Sequence, residues 1–192
     1  MNPRVKLHYS SKHFQRAISF AVNAHHGKTI PGTQIPYVAH VFLVAMEIIQ
    51  NLDDFPDEDP DLLLQAALLH DVLEDTQTTR TQLGEEFGDQ VESNVVLLSK
   101  VILSENSEKK SLDEYLEGLA NGPGSAQIIK MADRIVNLRP PPVHWNQEKI
   151  TGYHKESQKI LCRLGPANQA LADRLKQKIT RYKAQFVKSG HR

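Results

Sequence analysis

Apolar residues recur every three or four positions along most of the chain, which is the pattern of amphipathic helices. The first such segment covers residues 10–26, with Ser10 or Ser11 as a candidate N-cap. The last begins at Pro166 and carries an apolar face. No segment shows the alternation of a half-buried strand. We therefore predict an all-α fold, a single-domain helical bundle.

The most apolar helical segment ends in four titratable side chains. Leucine, alanine and valine dominate residues 62–73. His70 and Asp71 lie within this run, and Glu74 and Asp75 follow it directly. In a continuous helix, residues four apart share a face, so His70 would lie over Glu74 and Asp71 over Asp75. Burying an unpaired carboxylate costs several kcal/mol. We expect these groups to meet one another, or an ion, in a partly enclosed site.

Two other segments supply partners for that site. An apolar helix opening at residue 36 would place His40 in its second turn, and the helix over residues 128–138 has Asp133 and Asn137 on one face. Two imidazoles and two carboxylates form a mixed nitrogen and oxygen set that suits Mn²⁺, Fe²⁺ or a related divalent ion better than structural zinc. The predicted metal ligands are His40, His70, Asp71 and Asp133.

The order of these residues resembles the signature of the HD phosphohydrolase superfamily. The surrounding phrases are similar to the hydrolase domain of the RelA/SpoT family, and to its stand-alone small alarmone hydrolases in particular. These phrases are Pro36–His40, Ala67–Thr76, Glu86–Gly88 and Met131–Arg139. The resemblance implies one HD hydrolase domain over residues 1–192, with a core at about 12–165 and a packing helix at about 166–187.

The resemblance also implies an activity. It suggests a hydrolase with one Mn²⁺ ion that removes the 3′-pyrophosphate from (p)ppGpp or (p)ppApp, giving GDP/GTP or ADP/ATP and pyrophosphate. Within it we expect Glu74 to orient or deprotonate the attacking water and Asp75 to assist as acid, base or water-positioner. General acid-base catalysis of this kind is worth about 10²–10⁴ in rate.

The loop before His40 bears on which base is bound. In the resembling family this loop carries an Arg/Lys pair against the guanine, whereas here Thr29 and Ile30 stand at those positions and Lys28 is the nearby cation. Both guanine and adenine therefore remain open. Tyr37, three residues before His40, either flanks the site or is a core aromatic residue.

Further substrate contacts follow from the same resemblance. Lys109 or Lys110 would hold substrate phosphates, although a solvated charged face is the default interpretation of these lysines on the residues alone. Asn137 would donate to a ribose or phosphate oxygen. Lys149 and Tyr153, four residues apart, match a basic residue and a tyrosine that touch the phosphates. On the residues alone, an exposed lysine over a half-buried tyrosine is an equal interpretation of that pair.

Composition limits the partners. Acidic and basic residues are equal at 23 each, so nothing favours broad capture of nucleic acid or of an anionic membrane. The single Cys162 fits a reducing cytoplasm, and no apolar run reaches the length of a membrane span. We predict a cytoplasmic enzyme for a small nucleotide, with a homo-oligomer allowed. Two alternatives are a phosphatase for NADPH or a nucleoside monophosphate, and a catalytically silent nucleotide sensor.

Overall fold

The computed structural model describes residues 9–100 and 111–188, which fold as helices joined by short loops. The predicted all-α class is confirmed. Within these ranges the only strand-like pairing is a bridge between Thr29 and Pro36. The helices are α1 (Ser11–Ala24), α2 (Val38–Ile49), α3 (Pro60–Leu69), α4 (Val72–Asp75), α5 (Arg80–Phe87), α6 (Asp89–Leu98), α7 (Leu112–Ala120), α8 (Gly124–Asn137), α9 (Gln147–Leu164) and α10 (Gln169–Phe186).

Helices α3 and α8 form the centre of the bundle. Helix α3 packs against α1, α2, α6 and α8, and α8 also contacts α9 and α10. Residues 128–135 of α8 are all buried, which is the pattern of a helix surrounded by others. Leu63, Leu64 and Leu68 of α3 are at most 1% exposed, and burying each such side chain contributes about 1.5–3 kcal/mol. The helices that carry the predicted ligands are therefore also the centre of the core.

The expected continuous helix through residues 62–76 is wrong in one respect, because it breaks at His70 and Asp71. Helix α3 ends at Leu69, and the short helix α4 begins at Val72. The His70 ring Nδ1 lies 2.7 Å from the carbonyl oxygen of Ala67. In an uninterrupted helix that carbonyl would accept the N–H of Asp71. The side-chain bond replaces the backbone bond, and the chain turns there.

Helix ends elsewhere differ from the expected ones by a few residues. His40 lies in the first turn of α2 rather than the second. Ser125 follows the Gly-Pro-Gly break and would be expected to cap the helix that carries Asp133, but it is not the cap. Helix α8 begins at Gly124, and the buried Ser125 hydroxyl donates to Asn94 at 2.8 Å. The last helix is capped by Asn168 and begins three residues after Pro166. In the described ranges, no helix is both long enough and apolar enough to cross a bilayer.

Candidate active site

The side chains of His40, His70, Asp71 and Asp133 converge where α2, the turn after α3, and α8 meet. His40 Nε2 lies 3.3 Å from Asp133 Oδ1 and 3.5 Å from Asp71 Oδ2, and His70 Nε2 lies 2.9 Å from the same Asp71 oxygen. A further pair, His70 Nε2 and Asp133 Oδ1, is 3.8 Å apart. Neighbouring ligand atoms around an octahedral divalent ion are roughly 3 Å apart. His40, His70 and Asp71 therefore have the spacing of one coordination shell, and Asp133 lies beside them.

The chemistry of His70 supports a cation at this place. Its Nδ1 must donate to the Ala67 carbonyl, which only accepts, so neutral His70 carries its lone pair on Nε2. Nε2 is buried and makes no hydrogen bond, although Asp71 Oδ2 is close to it. Two lone pairs at this distance repel unless a proton or a cation lies between them. The donor set thus fits a divalent metal ion, and His40, His70 and Asp71 form a compact ligand group.

Asp133 is held in place by two neighbours on its own helix. Lys130 Nζ donates to its Oδ2 at 2.8 Å, and Asn137 Nδ2 donates to its Oδ1 at 2.5 Å. Burial raises the pKa of Asp133, but Lys130 and the two histidines outweigh that and hold the pKa well below its usual range. The carboxylate is therefore ionised and oriented.

The pKa of His40 depends on the carboxylates of Asp133 and Asp71. Burial lowers its pKa, yet hydrogen bonds and charge interactions with Asp133 and Asp71 raise it to about 9. Without a metal ion, the imidazole is therefore protonated near neutral pH. Metal coordination requires the neutral ring, so an ion would take the place of that proton.

Tyr37 supports the cluster from the side. Its hydroxyl donates to Asp71 Oδ2 at 2.5 Å, and its ring lies against His40 and His25. His25 is 2% exposed, and neither of its ring nitrogens has a hydrogen-bond partner among the described residues. Burial lowers the pKa of His25 to about 4. A neutral histidine and a tyrosine therefore form the wall behind Asp71.

Glu74 and Asp75 line a cavity of about 260 Å³ that also exposes Asp71 and Asp133. Glu74 Oε2 accepts the backbone N–H of Lys100 at 3.1 Å, which fixes one of its oxygens. Burial and the nearby Asp71 charge raise the pKa of Asp75. Asp71 and Asp133, whose pKa values are held well below the usual range, thus share one polar cavity with two further carboxylates.

The same cavity is also lined by residues that are not among the predicted site residues. Lys100, Lys130, Arg134 and Glu156 all line it. Glu156 Oε1 accepts from Lys100 Nζ at 3.0 Å and from Arg134 Nη2 at 2.5 Å. Lys130 lies three residues before Asp133 on α8, so the sequence places it close to the face of that predicted ligand. Glu156 and Lys100 are 56 positions apart in sequence, and neither lies in a local motif that would have identified it.

A second cavity, of about 380 Å³ and mainly apolar, adjoins the first through Asn137 and Tyr153. It lies between the loop after Ile30 and the proline-rich segment that follows α8. Its other walls come from the rings of Trp145, Tyr153 and Tyr182 and from Pro31, Gly32, Thr33, Arg139, Pro140, Pro141, Pro142 and Val143. The polar cavity therefore opens beside a pocket suited to a flat apolar group.

The predicted substrate residues separate into three groups. Tyr37, Asn137 and Tyr153 line the polar cavity. Lys28 and Lys149 are exposed and line neither cavity, and Lys149 Nζ lies 4.6 Å from the Trp145 ring centre. Lys109 and Lys110 lie outside the described residues.

The fold and the site together define a helical hydrolase of the HD type. Residues 17–170 match the family model described as HD domain, and the chain belongs to this family.

Relatives named for one activity are similar over most of the chain. Guanosine-3′,5′-bis(diphosphate) 3′-pyrophosphohydrolase MESH1 of Mus musculus is 31% identical, covering 84% of this chain and 89% of the relative. The Drosophila melanogaster MESH1 is 32% identical, covering 85% and 90%. A solved structure described as a metazoan orthologue of SpoT that hydrolyses ppGpp aligns with a TM-score of 0.79 and 27% identity, covering 91% of this chain and 97% of that one. The suspected family is confirmed.

Proposed function

We propose that the protein is a metal-dependent 3′-pyrophosphohydrolase for ppGpp-type alarmones. The observation that carries this proposal is the polar cavity, where Asp71 and Asp133, beside His40 and His70, share the lining with Glu74 and Asp75. The relatives named as guanosine-3′,5′-bis(diphosphate) 3′-pyrophosphohydrolases support the same activity. The products would be the nucleoside 5′-phosphate form and pyrophosphate.

The ion in this proposal is one Mn²⁺, held by His40, His70, Asp71 and Asp133. Two imidazoles with two carboxylates favour Mn²⁺ or a similar octahedral ion. A divalent cation there supplies activation of water and neutralises charge on a phosphate oxygen. The chain's own contribution is to hold the four ligands in register, through Tyr37 on Asp71 and through Lys130 and Asn137 on Asp133.

Glu74 is assigned to take the proton of the attacking water. One of its oxygens accepts from the backbone N–H of Lys100, which leaves the other oxygen of this cavity-lining residue available to a water. Asp75 is assigned to pass a proton to the leaving group. Its raised pKa supports that assignment, because a carboxyl group near an ionised neighbour retains its proton more readily.

The nucleoside is assigned to the apolar cavity beside Tyr153. Aromatic and proline side chains there offer flat surfaces for a purine, and Asn137 stands at the junction where a ribose would lie. Among the polar side chains of this cavity are Thr33 and Arg139. No carboxylate of the described residues lines it, and the side-chain oxygens of Thr33, Asn137 and Tyr153 can accept from the amino group of either guanine or adenine. We therefore keep both guanine and adenine alarmones as substrates.

The proposed setting is a reducing cytoplasm, with a small nucleotide as the partner and neither nucleic acid nor a membrane. The equal numbers of acidic and basic residues support this, since no net charge draws the chain to a polyanion. The single exposed Cys162 is compatible with such a compartment.

The deciding experiment incubates purified protein with ppGpp, ppApp and NADPH, with and without added Mn²⁺, and resolves every product. Release of pyrophosphate from an alarmone, dependent on Mn²⁺ and lost in Asp71→Ala, is the expected result. Orthophosphate release from NADPH alone would replace the proposal with a phosphatase. Binding of the nucleotides without any product over hours would indicate a sensor.

A further inference from the structure

Glu156 bridges two cations, and all three residues line the polar cavity together with Glu74 and Asp75. The same oxygen, Oε1, accepts from Lys100 and from Arg134. Burial raises the pKa of Glu156, but the two cations outweigh it and lower the pKa. An ionised oxygen between an ammonium and a guanidinium is the position that a phosphoryl oxygen occupies in charge-assisted phosphate binding.

The charges around the cavity show why this position matters. Five carboxylates and three cations line it. A bound divalent cation would bring these formal charges into balance, and a nucleotide with phosphates at both ends would then add several negative charges. Two of the carboxylates are predicted ligands, Asp71 and Asp133, and two are the acidic pair, Glu74 and Asp75. Glu156 is the fifth, with no contact to the ligand cluster, and its side chain is 25% exposed.

The two cations held by Glu156 differ in freedom. Arg134 is 4% exposed in its side chain, lies 4.2 Å from the Tyr153 ring centre and donates to Ser157. Lys100 is 31% exposed and has a flexible side chain. Its backbone N–H meanwhile holds Glu74. Lys100 can thus exchange its partner while Arg134 keeps its position.

On the basis of the function proposed above, we propose that Glu156 is an internal competitor of the substrate's phosphate for Lys100. In the free enzyme its carboxylate occupies Lys100 and Arg134. When the nucleotide binds, a phosphoryl oxygen accepts from Lys100 in place of the Glu156 carboxylate. When pyrophosphate leaves, Glu156 closes on Lys100 again. The residue therefore lowers the affinity for phosphate and shortens the residence of the product, and Lys100 becomes a phosphate-binding residue.

The first test compares Glu156→Gln with wild type. Glutamine keeps an amide oxygen for Arg134 but removes the negative charge. We expect KM for ppGpp and the inhibition constant of pyrophosphate to fall together by about tenfold, the order of magnitude for one charge removed near an anion in a partly solvated cavity. Glu85→Gln makes the same charge change on exposed α5 and should leave both constants unchanged. Constants that stay the same or rise in a folded Glu156→Gln protein would overturn the proposal.

The second variant is Lys100→Met. It leaves the buried Arg134 paired with the Glu156 carboxylate, so the fold should be preserved even if Glu156→Gln is unstable. It should weaken inhibition by pyrophosphate, and the double variant should lack the gain seen in Glu156→Gln. A Lys100→Met enzyme inhibited as strongly as wild type would contradict the exchange. So would a double variant that keeps the full gain.

Titration of inorganic pyrophosphate into metal-free protein, followed by calorimetry, separates this proposal from the proposed function. Tighter binding by Glu156→Gln than by wild type and Glu85→Gln supports the competitor role whichever nucleotide is hydrolysed. Equal binding by all three overturns it. Failure of the wild-type enzyme to release pyrophosphate from an alarmone would refute the proposed function alone.

Discussion

Removing the hydroxyl of Tyr37 should weaken metal binding without disturbing the fold. In Tyr37→Phe, Asp71 loses the hydrogen bond it accepts at 2.5 Å, while the ring keeps its contacts with His25 and His40. A hydrogen bond to a charged group is worth about 1.5–3 kcal/mol. At roughly 1.4 kcal/mol for each factor of ten, the dissociation constant for Mn²⁺ should rise about 10- to 100-fold.

Calorimetric titration of metal-free protein with Mn²⁺ measures this change directly. The matched control is Tyr182→Phe, because the Tyr182 hydroxyl is buried and has no hydrogen-bond partner among the described residues. That control should bind Mn²⁺ as wild type does. Equal affinity of Tyr37→Phe and wild type would refute the reasoning, since it would mean that Asp71 needs no support from the tyrosine.

Two further predictions test the acidic pair and the buried histidine. Glu74→Gln should lower kcat by about 10²–10⁴-fold while Mn²⁺ affinity stays within a few-fold of wild type; normal turnover in this variant would remove Glu74 from proton transfer. His25 should make the protein less stable in mild acid: its pKa is lowered to about 4 in the fold, so below about pH 6.5 only the unfolded chain takes up the proton, and stability falls as the pH falls. Between pH 7 and pH 5, the free energy of unfolding of wild type should fall by about 2 kcal/mol more than that of His25→Phe, as measured by urea unfolding at both pH values; equal changes in the two proteins would show that His25 is protonated within the fold.

The sequence was sufficient for the fold class and for the approximate positions of the ligand helices. Apolar spacing marks α3 and α8, and the titratable residues within such buried helices identify groups that need partners. The structure brings His40, His70, Asp71 and Asp133 together, as their residue types and spacing suggested. These inferences succeed because helical periodicity is local and because a buried charge must be compensated.

Other features depended on contacts that local patterns do not encode. The break after Leu69 arises because the His70 ring takes the carbonyl of Ala67. Ser125 stands where a helix cap would be expected, but its hydroxyl donates to Asn94, a buried residue of α6. The Lys100–Glu156 contact joins the segment after α6 to α9, far apart in sequence. His25 stands beside a helix-ending glycine, where a solvated histidine would be expected, yet it is buried with its ring against Tyr37. Apart from the local contact of His70, tertiary packing decides the outcome in each case.

The central position of α8 links occupancy of the site to the integrity of the whole protein. This helix supplies Asp133 and also fills the middle of the core. An ion that joins it to α2 and to the turn after α3 would bind the native chain and not the unfolded one. At a hundredfold excess over its dissociation constant, such an ion adds about 2.7 kcal/mol to the free energy of unfolding. The melting temperature should therefore increase with metal occupancy. In a cell that is short of the ion, the amount of folded enzyme would fall together with its activity.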